Sequence, residues 1–196
     1  MARMKVEQHL SRKEVILQQA ASLFKEKGFK ATSMRDLAEV LGIEAASLYN
    51  HISSKNELLH LICFSVAERF LSKMAVVEKS KGTAISKLET ILQFHIKEMV
   101  NRYNEVYVSD REWRHLSEPL LHEYRELRRS YRKQITTLIE SGIAAGEIKN
   151  IDAPTAVLIL LHAISGIESW QRSRQKINPK ELEKNMITIL ISGLKK

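Results

Sequence analysis

The chain has 196 residues, 44% hydrophobic and 28% charged, with 31 Lys plus Arg against 23 Asp plus Glu, a formal net charge of +8. That apolar content excludes a disordered chain, and the length suits one medium domain or a small domain joined to a larger one. The basic balance makes an anionic partner worth testing but says nothing about fold. The single cysteine, Cys63, leaves no intramolecular disulfide and no multi-cysteine zinc site. The histidines at 9, 51, 60, 95, 115, 122 and 162 lack close metal-ligand spacing, so neither a metal nor another cofactor is expected. Arg3, Lys5 and Glu7 stand where a signal peptide needs apolar residues, and the longest strongly apolar run, 156 to 161, is too short to span a membrane. The expectation is a cytoplasmic protein with no membrane partner.

Seven glycines and three prolines punctuate the chain, and apolar residues recur at helical rather than alternating spacing, which predicts an all-α fold. Val15, Ile16, Ala20, Leu23 and Phe24 form one stripe, predicting a helix over 11 to 27 that stops at a left-handed Gly28. Ser33 with Asp36 reads as a capping box for a short helix over 34 to 41 ending at Gly42. A third helix fits over 45 to 51, before the next capping signal, Ser54 with Glu57. A long helix then runs from Lys55 to the polar tract Lys79, Ser80, Lys81, Gly82, with Leu58, Leu59, Ile62, Phe64, Phe70, Leu71 and Met74 as core candidates. Another spans 84 to 101, and 103 to 116 reads as a short helix with irregular ends. Ser117 and Pro119 start a helix striped by Leu120, Tyr124, Leu127, Tyr131, Ile135 and Leu138 and ending at Gly142. Asp152 and Pro154 begin a helix to about Arg174; Asn178, Pro179 and Glu181 begin the last, to about Ser192. The total is about nine helices.

Two short helices joined by a turn at Gly42 have the dimensions of a helix-turn-helix, whose second helix enters the major groove. Leu37, Ala38, Leu41, Ile43 and Leu48 supply its small core. Ser47 and Asn50 face the groove, where a hydroxyl and a carboxamide match base edges, and Ala45 and Ala46 lie against thymine methyls. Thr32, Ser33, Tyr49, His51 and Lys55 suit phosphate contacts. The plainer account has Tyr49 in the small core and His51 as an ordinary surface residue.

From Arg12 through Leu59 the chain resembles the N-terminal domain of the TetR/AcrR family of transcriptional regulators. The resemblance rests on Ile16, Ala20, Ala21, Leu23, Phe24 and Gly28; on Thr32, Asp36, Leu37 and Ala38; on Gly42, Leu48, Tyr49 and His51; and on Lys55, Glu57 and Leu58. The chain departs from the pattern at Ile52, commonly phenylalanine, which preserves packing, at Ala46, commonly glycine, and at Glu44, often serine, which alters the helix cap or the groove contacts. The resemblance implies a three-helix DNA-binding head over 1–54 and a helical effector-binding and dimerisation domain over 55–196. The implied partners are double-stranded DNA read as a palindromic operator, a second copy of the chain, and a small-molecule effector whose binding shifts the spacing of the two heads.

The later helices suit those roles. Val157, Leu158, Ile159, Leu160 and Leu161, with Leu182, Met186, Ile187, Ile189, Leu190 and Ile191, leave two helices apolar on many sides; Leu158, Leu161, Ile187, Leu190 and Ile191 are the dimer candidates, unless both helices are simply central in one core. Phe70, Phe94, His95, Met99, Tyr103, Tyr107, Trp113, Tyr124, Arg128 and Trp170 are candidates for an effector pocket, though each aromatic also suits ordinary core. Arg125, Arg128, Arg129 and Arg132, with Lys133, form either a solvated face or guanidinium forks for an anionic effector. Arg128, Arg129 and Tyr131, then Gly142 and Gly146, then Trp170 and the closing Ser192, Gly193 and Leu194 loosely resemble the branch of the family that often responds to acyl-coenzyme A thioesters.

Rival readings are an enzyme, a constitutive architectural DNA binder, and a regulator of efflux responding to diverse apolar compounds. Asp110, Glu112 and His115, or Ser117 and His122, lie close in sequence but offer no three-part catalytic arrangement, so no enzyme is expected. Residues 1–60 hold nine Lys plus Arg against seven Asp plus Glu, a net of +2, so most of the positive excess falls in the larger region.

Overall fold

The computed structural model describes residues 11–173 and 177–196; Arg3, Lys5, Glu7, His9 and the expected helix end at Arg174 lie outside the described residues. Among these the order is α1 (Arg12–Lys27), α2 (Met34–Leu41), α3 (Ala45–Tyr49), α4 (Lys55–Lys79), α5 (Ala84–Asn101), α6 (Tyr103–Arg111), a 3-10 turn (Trp113–His115), α7 (Leu120–Ala144), α8 (Ala153–Ser165), α9 (Ile167–Arg172) and α10 (Pro179–Leu194). The all-α expectation holds, and the count of about nine rises to ten because the segment 152 to 174 divides.

Local side-chain chemistry starts most of these helices. Ser11 accepts the Glu14 amide at 3.2 Å while the Glu14 carboxylate takes the Ser11 amide at 2.8 Å, a reciprocal cap. Asp36, a methylene shorter than glutamate, still reaches the Ser33 amide at 2.7 Å. At α4 the reciprocity is displaced by one residue: Ser54 accepts from the Glu57 amide, but the Glu57 carboxylate binds the amide and hydroxyl of Ser53. Gly42 ends α2 in the left-handed region at φ 64°, with Ile43 N–H reaching back to the Ala38 carbonyl and Gly42 N–H to Glu39.

Several boundaries need correction. Gly28 has a positive φ of 82° but an extended ψ of 152°, so it ends α1 without a left-handed cap. The third helix stops at Tyr49, not 51, although the amides of His51 and Ile52 still bond to the Leu48 carbonyl. The region 103 to 116 resolves into α6 and the 3-10 turn. Ser117 does not begin α7, which starts at Leu120. Gly142 does not end that helix: it is buried within it, where an added Cβ would meet Ile148 Cδ1 at 2.6 Å and Ala84 Cβ at 3.0 Å. Its missing side chain serves close packing rather than termination. The helix from Ala153 breaks at Gly166, whose amide turns back to both His162 and Ala163, the tightening of a helix end.

The buried apolar residues form two clusters. The head cluster joins Ile16, Leu23, Phe24, Leu37, Ala38, Leu48 and Ile52 to Leu58, Leu59, Ile62 and Cys63 of α4, and takes in Val108, Leu116 and Tyr124 from further along the chain. The larger cluster gathers the rest of α4 from Val66 onward with α5, α7, α8 and α10. A fully buried Leu or Phe in either contributes about 1.5–3 kcal/mol, so α4, which serves both, ties head to body. Taken as one segment, Ala153–Arg172 reaches a mean hydropathy of 1.3 over a membrane-spanning length. Ala156, Val157, Leu160, Ile164 and Ile167 turn that apolarity into the larger cluster.

Candidate functional site

The head presents α3 to solvent. Leu48 is fully buried and anchors it, Ala45 packs half-buried on the head cluster, and Ala46, Ser47, Asn50 and His51 are exposed. Tyr49 is 53% exposed, so its alternative place in the small core is excluded. Ile52, at 1% exposure, keeps the packing that the departure from phenylalanine put at stake. Glu44 stands at the N-cap of α3 without making a side-chain cap bond.

Three of the expected phosphate-binding residues have structural partners. Thr32 is buried and donates to the Gly28 carbonyl at 2.9 Å, and Ser33 caps α2. The Lys55 ammonium donates to the carbonyls of Phe29 at 2.8 Å, Thr32 at 2.7 Å and Lys30 at 3.3 Å, and sits 4.5 Å from the Phe29 ring centre. Its three N–H bonds therefore hold the loop that delivers α2.

The body contains a cavity of about 510 Å³ bounded by α4, α5, α6, α7, α8 and α9. Of the expected effector residues, Phe70, His95, Met99, Tyr107, Tyr124 and Arg128 line it. Four do not. Phe94 packs edge-on behind Phe70 at 5.1 Å, Tyr103 packs on Tyr107 beneath the Lys25 ammonium, and Trp113 stacks with the Arg114 and Arg128 guanidinium groups. Trp170 donates its indole N–H to the Ile177 carbonyl. A groove of about 710 Å³ between α5 and α10 is lined by Glu89, Lys97, Lys180, Glu183 and Lys184 among others and holds none of the expected effector residues.

The cavity combines a buried apolar wall with charged residues that mostly reach solvent at its rim. Val66, Phe70, Leu71, Met99 and Leu161 supply the apolar wall; Asp110, Arg111, Arg114, Arg128, Arg132 and Glu168 supply the rim. Arg128 pairs with Asp110 at 2.8 Å and Arg111 with Glu168 at 3.1 Å. Burial works against the Arg128 charge, but the Asp110 carboxylate outweighs it and keeps the guanidinium protonated. Neither Arg114 nor Arg132 has a carboxylate partner among the described residues, so the rim keeps a cationic excess. The basic run thus divides: Arg128 and Arg132 line the cavity, while Arg125 and Arg129 are exposed, Arg129 paired with Glu126. Spacing on one helix could not reveal Asp110 or Glu168, because both are brought in by other helices.

The cavity wall is continuous with the head. Tyr124 hydroxyl lies 2.6 Å from Ser109 Oγ, Glu112 accepts the Phe29 amide at 3.2 Å, and His115 stacks on the Phe29 ring at 5.6 Å. Asp110, Glu112 and His115 are accordingly engaged in contacts between elements. No group of three His, Cys, Asp or Glu able to hold a metal occurs among the described residues.

Of the dimer candidates, Leu158 is 56% exposed, whereas Ile187 is buried in its own core, Leu161 lines the cavity, and Leu190 and Ile191 are half-buried. The most exposed large apolar residues on these helices are Ile159 and Ile189, at 59% and 70%. Core contacts rotate α10 so that Ile187 points inward and Ile189 outward.

Residues 16–62 match the model for bacterial regulatory proteins of the tetR family, and residues 81–194 match the tetracyclin repressor-like C-terminal domain. The chain is similar to the HTH-type transcriptional repressor KstR2 of Mycolicibacterium smegmatis, 22% identical over 189 residues covering 95% of this chain and 92% of that protein. It is also similar to the fatty acid metabolism regulator protein of Bacillus subtilis, 23% identical over 181 residues, covering 91% and 93%. The fold matches the ketosteroid regulator KstR2 of Mycobacterium tuberculosis with a TM-score of 0.88 at 21% identity, covering 96% and 97%. It also matches AibR in complex with isovaleryl coenzyme A and operator DNA, with a TM-score of 0.78 at 21% identity, covering 92% and 98%. With an exposed recognition helix held on a helix-turn-helix and a helical body behind it, the chain belongs to the tetR family of DNA-binding transcriptional regulators.

Proposed function

We propose that the protein is a homodimeric repressor that reads a palindromic operator through α3 and is released when an amphipathic anion, an acyl-coenzyme A thioester, fills the cavity. The observation that carries the effector reading is the asymmetry of the cavity, apolar along Val66, Phe70, Leu71 and Met99 and cationic at Arg114 and Arg132. An acyl chain suits the first and phosphate groups the second, since guanidinium forks match phosphate oxygens. The α6 wall gives such a ligand a mechanical route: Ser109 and Asp110 touch α7, and Glu112 grips the loop at Phe29. Occupying the cavity biases α6, and α6 biases the head, a population shift between head spacings. The presence of a lined cavity favours this over a constitutive architectural DNA binder.

In this reading Ser47 and Asn50 meet base edges, Ala45 and Ala46 meet thymine methyls, and Tyr49 and His51 meet phosphates. Exposed Leu158, Ile159 and Ile189 form the centre of the dimer surface, with Leu190 and Ile191 beside them. Operator selection from genomic fragments, followed by fluorescence anisotropy with acyl-coenzyme A thioesters of graded chain length, tests it. Sequence-selective binding reversed by micromolar thioester is the expected result. Binding that no thioester reverses would refute the effector assignment, and binding without sequence preference would refute operator reading.

A further inference from the structure

Apart from the charged rim, the cavity wall holds two buried polar pairs, Ser109 with Tyr124 and His95 with Tyr131. His95 of α5 and Tyr131 of α7 meet with Nε2 and hydroxyl 2.7 Å apart, and Phe70 packs edge-on against both rings at 4.6 and 5.8 Å. Both residues line the cavity, and each is only 9% exposed. The first pair is closed on itself, the Tyr124 hydroxyl reaching both the hydroxyl and the carbonyl of Ser109. The His95 and Tyr131 side chains hydrogen-bond only to each other among the described residues.

Counting hydrogens shows what that leaves. Burial pushes the His95 imidazole down to about 3, so it is neutral and carries one N–H. A neutral imidazole and a phenol hold two polar hydrogens, and the bond between them uses one. When Tyr131 donates, the imidazole keeps an N–H on Nδ1; when the imidazole donates, the phenolic O–H is left. Either tautomer offers one spare donor in a largely apolar wall. Water satisfies such a donor in a solvent-filled cavity. A saturated alkyl chain displaces the water and leaves the donor bare, whereas a ligand oxygen replaces it.

The geometry points to an effector that carries an acceptor oxygen, a carbonyl or hydroxyl, on its buried apolar body, received by the donor that His95 and Tyr131 leave over. This deepens the effector reading above and rests on it. The pair then acts as a specificity device, because a site built to hydrogen-bond an oxygen discriminates against the analogue that lacks it.

Calorimetric titration of the full-length protein with dodecanoyl-coenzyme A, and with derivatives bearing one ketone at successive chain positions, provides the test. One ketone position is expected to bind about tenfold more tightly than the unsubstituted chain. In the double variant His95→Leu/Tyr131→Phe, which removes both polar hydrogens, that preference falls below about threefold. Dodecanoyl-coenzyme A binding as tightly as every ketone would overturn the inference and leave the effector reading intact, as would a preference that survives the double variant. Failure of all probes to bind would remove the effector reading and the inference together. Should the double variant not fold, the infrared carbonyl stretch of the isotope-labelled ketone in the wild-type complex decides. A shift to lower frequency than in alkane supports the donor, and an unshifted band overturns it.

Discussion

Lys55 gives two distinct expectations. As a phosphate contact it would weaken all DNA equally; as a lock on the loop between α1 and α2 it would stabilise the head. Lys55→Met keeps the aliphatic stem and removes two short bonds, to Phe29 and Thr32 carbonyls, one longer bond to Lys30, and the contact with the Phe29 ring. Each short charge-assisted bond contributes about 1.5–3 kcal/mol, and the ring contact about 0.5–1 kcal/mol. Against that stand about 2 kcal/mol of recovered lysine rotamer entropy and partial access of water to the freed carbonyls. The net loss expected is about 2–4 kcal/mol, a large share of a typical 5–15 kcal/mol stability but compatible with a folded protein. Urea unfolding followed by circular dichroism measures it. Operator binding by anisotropy over a range of salt measures the other role, because each lost phosphate contact lowers the slope of log K against log salt by about 0.9. The expected result is reduced stability with an unchanged slope. Stability within about 0.5 kcal/mol of wild type together with a slope lowered by about 1.8, one contact for each protomer of the dimer, would refute the loop lock.

Three further outcomes follow from the geometry. Arg132→Ala removes a rim cation that has no carboxylate partner among the described residues, so calorimetry should show about tenfold weaker binding of anionic effector with operator affinity and stability unchanged. Leu158→Glu places a charge on an exposed apolar position of α8, and sedimentation velocity should show a shift from dimer to monomer with weakened operator binding; an unchanged dimer would place the interface elsewhere. The Ser33 hydroxyl and amide, helped by Lys27, hold the Asp36 carboxyl down at about 2, against an ordinary 3.8. The folded value is the lower one, so this contribution is complete above about 3.8 and is lost as pH falls through about 2. Asp36→Asn should therefore flatten the acid limb of the urea midpoint against pH, and an identical limb in the variant would show that the cap carries no pH dependence.

The head was legible from sequence because its signals are local. Capping pairs, a left-handed Gly42 and short apolar stripes act within a few residues of themselves, and α2 appears over the residues those signals mark. The same locality misled at Gly142, which reads as a stop but is retained inside α7 because Ile148 and Ala84 need the space. Nor could local signals show the bonds of Lys55, whose carbonyl partners lie more than twenty residues earlier in the chain.

By itself, then, the sequence determined the all-helical class, the helix-turn-helix, and a body rich in aromatic and basic residues. Only the tertiary structure decided which of those residues share a cavity, because helix rotation and crossing choose the inward face. That choice placed Phe70, His95, Tyr107 and Tyr124 on the wall and set Phe94, Trp113 and Trp170 behind or beside it. It turned Ile187 inward and Ile189 outward on α10. It also brought Asp110 to Arg128 and His95 to Tyr131, pairs separated by 18 and 36 residues, for which a linear pattern carries no signal. The periodicity of a helix says that a face will be buried, and its neighbours determine which one and against what.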